Sequence, residues 1–164
     1  MRTGIALGSN LGDRLKNLQA ASDYLRSLSR GPFLISHAYE TEPVDCPPGS
    51  GAFLNAAAEI EFHGDIFDLL SDLQEYEQRK GRPSEREKNA PRPIDLDILY
   101  CDDMTLSSPA LNIPHPAITD RAFVLAPLAE ICPKKRLPNH SKTFEKLYKE
   151  MNVKFNDNEI YKLL

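Results

Sequence analysis

Apolar and polar positions along this chain alternate between two periods. Residues 3–9 alternate, with Ile5 and Leu7 on one face, and read as a first strand. Asp13 then stands at the N-cap of a segment in which Leu15, Leu18, Ala21, Leu25 and Leu28 recur every three or four residues. That spacing predicts an amphipathic helix, ended by Gly31-Pro32. Residues 33–39 are a second strand and residues 53–62 a third. In the third, Phe53, Asn55, Ala57 and Glu59 share one face, while Leu54, Ala56, Ala58 and Ile60 share the other. Asp65 caps a second helix with the stripe Ile66, Leu69, Leu70 and Leu73, and Gly81 is its C-terminal stop. Residues 94–100 form a fourth strand. Asp102-Asp103 marks a hairpin turn, with a return strand near residues 104–106. The run 111–116 is extended because residues before proline avoid the helical region. Residues 121–128 fit either period, and residues 142–151 form a terminal helix.

The order strand, helix, strand, strand, helix, strand is the split pattern of a ferredoxin-like α+β sandwich. It predicts a mainly antiparallel sheet with helices packed on one face. At 164 residues, a single domain spanning 1–164 is expected. The chain is long enough to bury a core without staples. A net charge of −4 argues against a general nucleic-acid binder. No apolar run is long enough for a signal peptide or a membrane span. Cys46, Cys101 and Cys132 form neither a metal-ligand spacing nor a disulfide framework. Together these predict a cytoplasmic protein with no membrane partner.

Two stretches break the periodicity. Residues 41–52 are rich in proline and glycine, and residues 82–93 contain no large apolar side chain. Loops of this length are usually functional or disordered. The second carries Arg82, Arg86, Lys88 and Arg92, and runs straight into the fourth strand. There Ile94, Leu96 and Ile98 share one face, so Asp95 and Asp97 share the other. Two carboxylates side by side either stand on a face that is simply wet or call for a cation between them. Magnesium, held by one or two carboxylates plus substrate phosphates, fits. A mobile basic loop entering such a strand has the form of a lid over a metal-bound phosphate. On the second helix the apolar stripe continues to Glu77, with Gln74 beside it. Either the stripe has reached the protein's edge or these two line a site. The turn Gly8-Ser9-Asn10-Leu11-Gly12 lacks the spacing of a phosphate loop or a dinucleotide fingerprint and reads as structural. His115 is either structural or donates a hydrogen bond to a phosphate oxygen. Phe53 and Phe123 could sandwich a flat ring whose polar edge Asn55 reads.

Nearly the whole chain resembles the hydroxymethyldihydropterin pyrophosphokinase family. The blocks that carry the likeness are Ala6-Leu7-Gly8-Ser9-Asn10-Leu11-Gly12, Tyr39-Glu40-Thr41-Glu42-Pro43 and Phe53-Leu54-Asn55, then Gly81-Arg82. They continue with Pro91-Arg92-Pro93-Ile94-Asp95-Leu96-Asp97-Ile98-Leu99, Ile113-Pro114-His115-Pro116 and Arg121-Ala122-Phe123-Val124-Leu125. The resemblance implies a ferredoxin-like fold. It also implies pyrophosphate transfer from Mg-ATP to 6-hydroxymethyl-7,8-dihydropterin, with release of AMP. Asp95 and Asp97 would hold two magnesium ions. Arg82, Arg92, His115 and Arg121 would contact phosphates as catalytic groups. Thr41, Pro43, Val44, Phe53, Asn55 and Phe123 would bind the pterin. Gln74, Glu77, Ile98 and Asn112 would join the phosphate ligands around ATP. A monomer acting on small molecules is implied.

The chain departs from the family pattern in places. Ser84 replaces a common arginine, whose charge Arg86 or Lys88 would supply. Asn89-Ala90 replaces a common Trp-Gly pair, and Phe53 a common tyrosine. Two other readings use the same parts. One is a nucleotidyl- or phosphotransferase built on the paired aspartates. The other is a non-catalytic ferredoxin-like binding module, which would not need them.

Overall fold

The computed structural model describes residues 1–43, 46–82 and 90–163. The strands are β1 (Arg2–Ser9), β2 (Leu34–Ile35), β3 (Ala38–Thr41), β4 (Phe53–Glu61), β5 (Asp95–Cys101), β6 (Leu106–Ser107), β7 (Asn112–Ile113) and β8 (Ile160–Tyr161). The helices are α1 (Arg14–Leu28), α2 (Ile66–Arg79), α3 (Ala122–Ile131) and α4 (Phe144–Met151). The main sheet runs β5-β1-β4-β3-β8, with β2 also pairing β4, and every pairing is antiparallel. The first four positions of that order are those of a ferredoxin-like α+β sheet.

The predicted caps form. Asp13 accepts the Lys16 N–H at 3.1 Å and Asp65 accepts the Phe67 N–H at 2.8 Å, satisfying donors that a helix start leaves unpaired. α1 stops at Leu28, with Ser29 as its cap, a little before Gly31-Pro32. Leu18, Ala21 and Leu25 are buried as the stripe requires, but Leu15 at its start is exposed. Leu18, Ala21 and Leu25, with Ile66, Leu69 and Leu73 of α2, pack on Ile5, Leu7, Leu54, Ala56, Ala58 and Ile60 to form the main core.

Three sequence-based expectations are corrected, and one left open is resolved. The strand expected over 33–39 is two strands, interrupted at Ser36-His37. There the Ser36 hydroxyl accepts the Ala57 N–H at 2.9 Å and displaces the regular ladder. The strand returning from Asp102-Asp103 does not pair with β5. β6 pairs with β7 instead, in a separate two-stranded sheet. Helices cover both faces, not one. Opposite α1 and α2, a second core joins Ala57, Leu99 and Tyr100 of the sheet to Val124, Leu125 and Leu128 of α3 and Phe144 of α4. The ambiguous run after Arg121 is helical, with Pro127 inside α3.

A bulge in β5 serves this second core. Gly4 pairs with Tyr100 and Ile5 with Ile98, which leaves Leu99 unopposed. Leu99 and Tyr100 therefore both face α3. Gly4 makes room for the ring, since a Cβ there would land inside it. The Tyr100 hydroxyl donates to Glu59 at 2.5 Å. Burial alone would raise the Glu59 pKa, but this bond together with Lys135 and Arg2 holds it below the usual range. No helix among the described residues is long and apolar enough to cross a membrane.

Candidate active site

The register of β4, β1 and β5 builds the floor of a cleft. Gly8 pairs with Asn55 on one side and Asp95 on the other. Two residues along, Ala6 pairs with Ala57 and Asp97. Side chains of paired residues share a face, so Asn55, Asp95 and Asp97 stand on one surface with almost nothing between them. The small Gly8 and Ala6 leave that space open. A Cβ on Gly8 would meet Asn55 Oδ1 at 3.5 Å and Asp95 Cβ at 3.9 Å. The alternation Gly4, Ala6, Gly8 against Ile5 and Leu7 was the available signal for this floor, and the strand reading passed over it.

Above the floor lies a cleft of about 640 Å³. It is walled by Thr41, Phe53, Asn55, Arg92, Asp95, Asp97, His115, Arg121 and Phe123. A second lobe of about 340 Å³ is walled by Gln74, Glu77, Arg82, Asp97, Ile98, Asn112 and His115. Asp97 and His115 belong to both walls. Nearly all the predicted site residues thus come together. Pro43 lines neither lobe, and Val44 lies outside the described residues, as do Ser84, Arg86, Lys88 and Asn89. Glu42, from one of the blocks that carry the resemblance, also lines the larger lobe, as do Cys46, Asp120 and Met151, which carry no sequence signal of their own. Met151 reaches it from the end of α4, a placement that only the tertiary fold creates.

The first lobe offers flat and polar surfaces together. Asn55 Nδ2 donates to Thr41 Oγ1 at 2.9 Å, which fixes the amide at the lobe's end. The guanidinium of Arg92 lies 5.3 Å from the centre of the Phe53 ring, and that of Arg121 lies 5.6 Å from the Phe123 ring. Both aromatics expected to hold a ring therefore neighbour a cation expected to hold phosphate.

The shared wall is strongly charged. Arg82 Nη1 pairs with both Glu77 Oε1 and Asp95 Oδ1, and Arg92 Nη2 meets Asp95 Oδ2 at 2.8 Å. These groups are largely buried, so each charge needs its partner. The turn read as structural contributes here. Asn10 accepts the Arg92 N–H on its side-chain oxygen at 2.8 Å and gives its own N–H to the Arg92 carbonyl at 3.2 Å. Asp97 lies in the cleft with its side chain open to solvent on one side and protein on the others. Its pKa is raised to about 6, by desolvation and by Asp95, against the opposing pull of Arg82, Arg92 and Arg121. Burial pushes Glu77 up to about 7. Burial and the Arg121 charge lower the His115 pKa, which favours the neutral ring. His115 Nδ1 accepts the Ala117 N–H at 3.1 Å, so the neutral ring carries its proton on Nε2.

Among the described residues, no group of three or more His, Cys, Asp or Glu side chains is placed to hold a metal. The protein's own donors are the two aspartates. That set suits magnesium, whose remaining ligands are waters and phosphate oxygens.

Fold and cleft define the class: a ferredoxin-like α+β protein with paired aspartates and arginines between two lobes. The profile of the 7,8-dihydro-6-hydroxymethylpterin-pyrophosphokinase family matches residues 4–133. A Bacillus subtilis 2-amino-4-hydroxy-6-hydroxymethyldihydropteridine pyrophosphokinase is 42% identical over 129 residues, covering 78% of this chain and 76% of the relative. The Pseudomonas aeruginosa protein of the same name is 37% identical over 139 residues, covering 84% and 85%. A mitochondrial folate synthesis bifunctional protein of Arabidopsis thaliana is 41% identical over 130 residues, covering 77% of this chain and 23% of its own length. The crystal structure of wild-type Plasmodium falciparum HPPK-DHPS with SDX-DHP shares the fold, at a TM-score of 0.69 and 15% identity. The match covers 96% of this chain and 47% of that one, so the chain spans under half of that longer protein. The chain belongs to the 7,8-dihydro-6-hydroxymethylpterin-pyrophosphokinase family.

Proposed function

We propose that this protein is a folate-biosynthesis pyrophosphokinase. It transfers the pyrophosphoryl group of Mg-ATP to the hydroxyl of 6-hydroxymethyl-7,8-dihydropterin and releases AMP. The observation that carries this reading is the shared wall. Asp97 and His115 border both lobes at once, so a molecule in each would meet there. Such transfer depends mostly on positioning and charge neutralisation.

The pterin occupies the larger lobe, stacked by Phe53 and Phe123, with Asn55 and Thr41 reading its polar edge. ATP occupies the smaller lobe beside Gln74, Glu77 and Asn112. Leu96 turns its N–H outward to Glu77 on the open edge of β5, so alternation turns the Ile98 backbone to the same edge, where adenine can pair with it. Asp95 and Asp97 would hold two magnesium ions, which would supply neutralisation of the charge on the triphosphate. Phosphate oxygens compete with Asp95 for Arg82 and Arg92, whose guanidinium groups pass to the triphosphate. His115 donates from Nε2 to a phosphate oxygen, and Arg121 adds charge at the mouth. The substrate hydroxyl oxygen bonds to the β-phosphorus as the bond from that phosphorus to the AMP oxygen breaks, and the hydroxyl proton passes to solvent water. We read the chain as one domain, a cytoplasmic monomer that acts on small molecules without nucleic-acid or membrane partners.

The test is AMP formation from ATP and magnesium with and without 6-hydroxymethyl-7,8-dihydropterin. Pterin-dependent AMP is the expected product. Release of pyrophosphate would instead mark a nucleotidyltransferase, and no turnover by folded protein would mark a binding module.

A further inference from the structure

Arg14 lies outside the cleft, yet it touches both stems of the segment that frames the cleft's larger lobe. It is the first residue of α1, directly after the capping Asp13. Its Nη1 donates to the Ala52 carbonyl at 2.9 Å, and its Nη2 pairs with Glu40 Oε2 at 2.6 Å. Glu40 immediately precedes Thr41, and Ala52 immediately precedes Phe53. Thr41 and Phe53 are the last paired residues of the β3–β4 ladder. Alternation puts Glu40 on the sheet face opposite Thr41. The guanidinium therefore grips the fork from the α1 side, while Thr41, Phe53 and Asn55 face the cleft.

We propose that Arg14 is a positioning residue for the pterin lobe, holding Thr41 and Phe53 in register from behind the sheet. This rests on the reading of the larger lobe as the pterin site. The two acceptors differ in kind, one a carboxylate and one a backbone carbonyl. The planar fork of arginine reaches both at once, whereas a lysine ammonium is a point charge. The Arg14 and Glu40 side chains are 29% and 28% exposed, so this pair adds little to global stability. Its effect is on geometry. A frayed fork lowers the fraction of molecules in the binding-competent form, and apparent affinity falls by that fraction.

The experiment compares the unchanged protein with Arg14→Ala, Arg14→Lys and Glu40→Gln. It measures KM for each substrate, titrates 6-hydroxymethylpterin calorimetrically in the presence of a non-hydrolysable ATP analogue, and records melting temperature. Arg14→Ala should weaken pterin binding and raise the pterin KM about tenfold, with the ATP KM within about twofold of the original. Arg14→Lys and Glu40→Gln should fall between, and the melting temperature should stay within about 3 °C. Unchanged pterin affinity in any folded Arg14 variant overturns the proposal. Equal loss for both substrates with a lowered melting temperature also overturns it, and makes Arg14 a general folding contact. If Arg14→Ala does not fold, the lysine and Glu40 variants carry the same comparison. Failure of the unchanged protein to bind pterin would refute the functional reading itself, and this proposal with it.

Discussion

The Glu77 carboxylate accepts the backbone N–H of Leu96 at 2.6 Å, joining α2 to the outer edge of β5. An edge strand leaves alternate N–H groups without a ladder partner, and a buried one costs about 1–3 kcal/mol. Glu77 covers this one and, through Arg82, also touches Asp95. The helical stripe that ran on to Glu77 had therefore not reached the protein's edge. It had reached the wall of the smaller lobe.

That burial predicts a pH dependence of stability. Burial raises the Glu77 pKa to about 7 in the folded chain, above the ordinary glutamate value of 4.5. Its contribution is fully present below the unfolded value and is lost as pH rises through about 7. Glu77→Gln, neutral at every pH, should flatten that decline. Urea unfolding at pH 5 and pH 7.5 should show the difference between the two shrinking by about 1–3 kcal/mol. An unchanged slope would mean that Glu77 is already ionised in the folded protein.

Asp97 should be needed for chemistry more than for folding. Asp97→Ala is expected to lower AMP formation by at least about 100-fold while the protein stays folded. Because desolvation in the cleft and the neighbouring Asp95 raise its pKa, a proton competes with the cation there. Binding of manganese with ATP, followed by electron paramagnetic resonance, should weaken as pH falls through 6 in the unchanged protein. Normal turnover by Asp97→Ala would end the two-metal assignment.

His115 should work as a neutral donor. Its lowered pKa and the Ala117 bond to Nδ1 leave the Nε2 proton in place across neutral pH. The rate should therefore show no step assignable to this ring between about pH 7 and 8. Replacement by alanine should cost about 100-fold in kcat, in the range seen for loss of one preorganised donor. A bell-shaped profile that His115→Ala abolishes would instead assign it proton transfer.

Two glycines in β1 should respond in opposite ways. Gly4→Ala pushes a Cβ into the Tyr100 ring and should destabilise the fold by about 2–3 kcal/mol. Gly8→Ala meets only ordinary contacts, so stability should hold. Gly8→Val, larger at the cleft floor, should raise the pterin KM by about tenfold or more, in the range of a filled hydrophobic pocket. Thermal melts and steady-state kinetics on the three variants separate the two roles.

The elements and their faces were legible in the sequence because they depend on local period. Two-residue alternation put Asp95 and Asp97 together, and helical spacing put Leu18, Ala21 and Leu25 inward. The proline- and arginine-bearing blocks carried the family resemblance. Other features depend on groups far apart in the chain. Local period does not specify that a serine hydroxyl interrupts the second strand, or that Leu99 bulges so that Tyr100 faces Glu59. Nor does it specify that Asn10 grips Arg92, or that α3 and α4 cover the second face. Each of these follows from the register between strands and the filling of space between layers. The sequence by itself determined which residues could do phosphate chemistry, since side-chain type and alternation are properties of the chain. Only the tertiary structure decided that Asp97 and His115 border two lobes at once, because that requires β5 and the turn after β7 to meet across the sheet's edge.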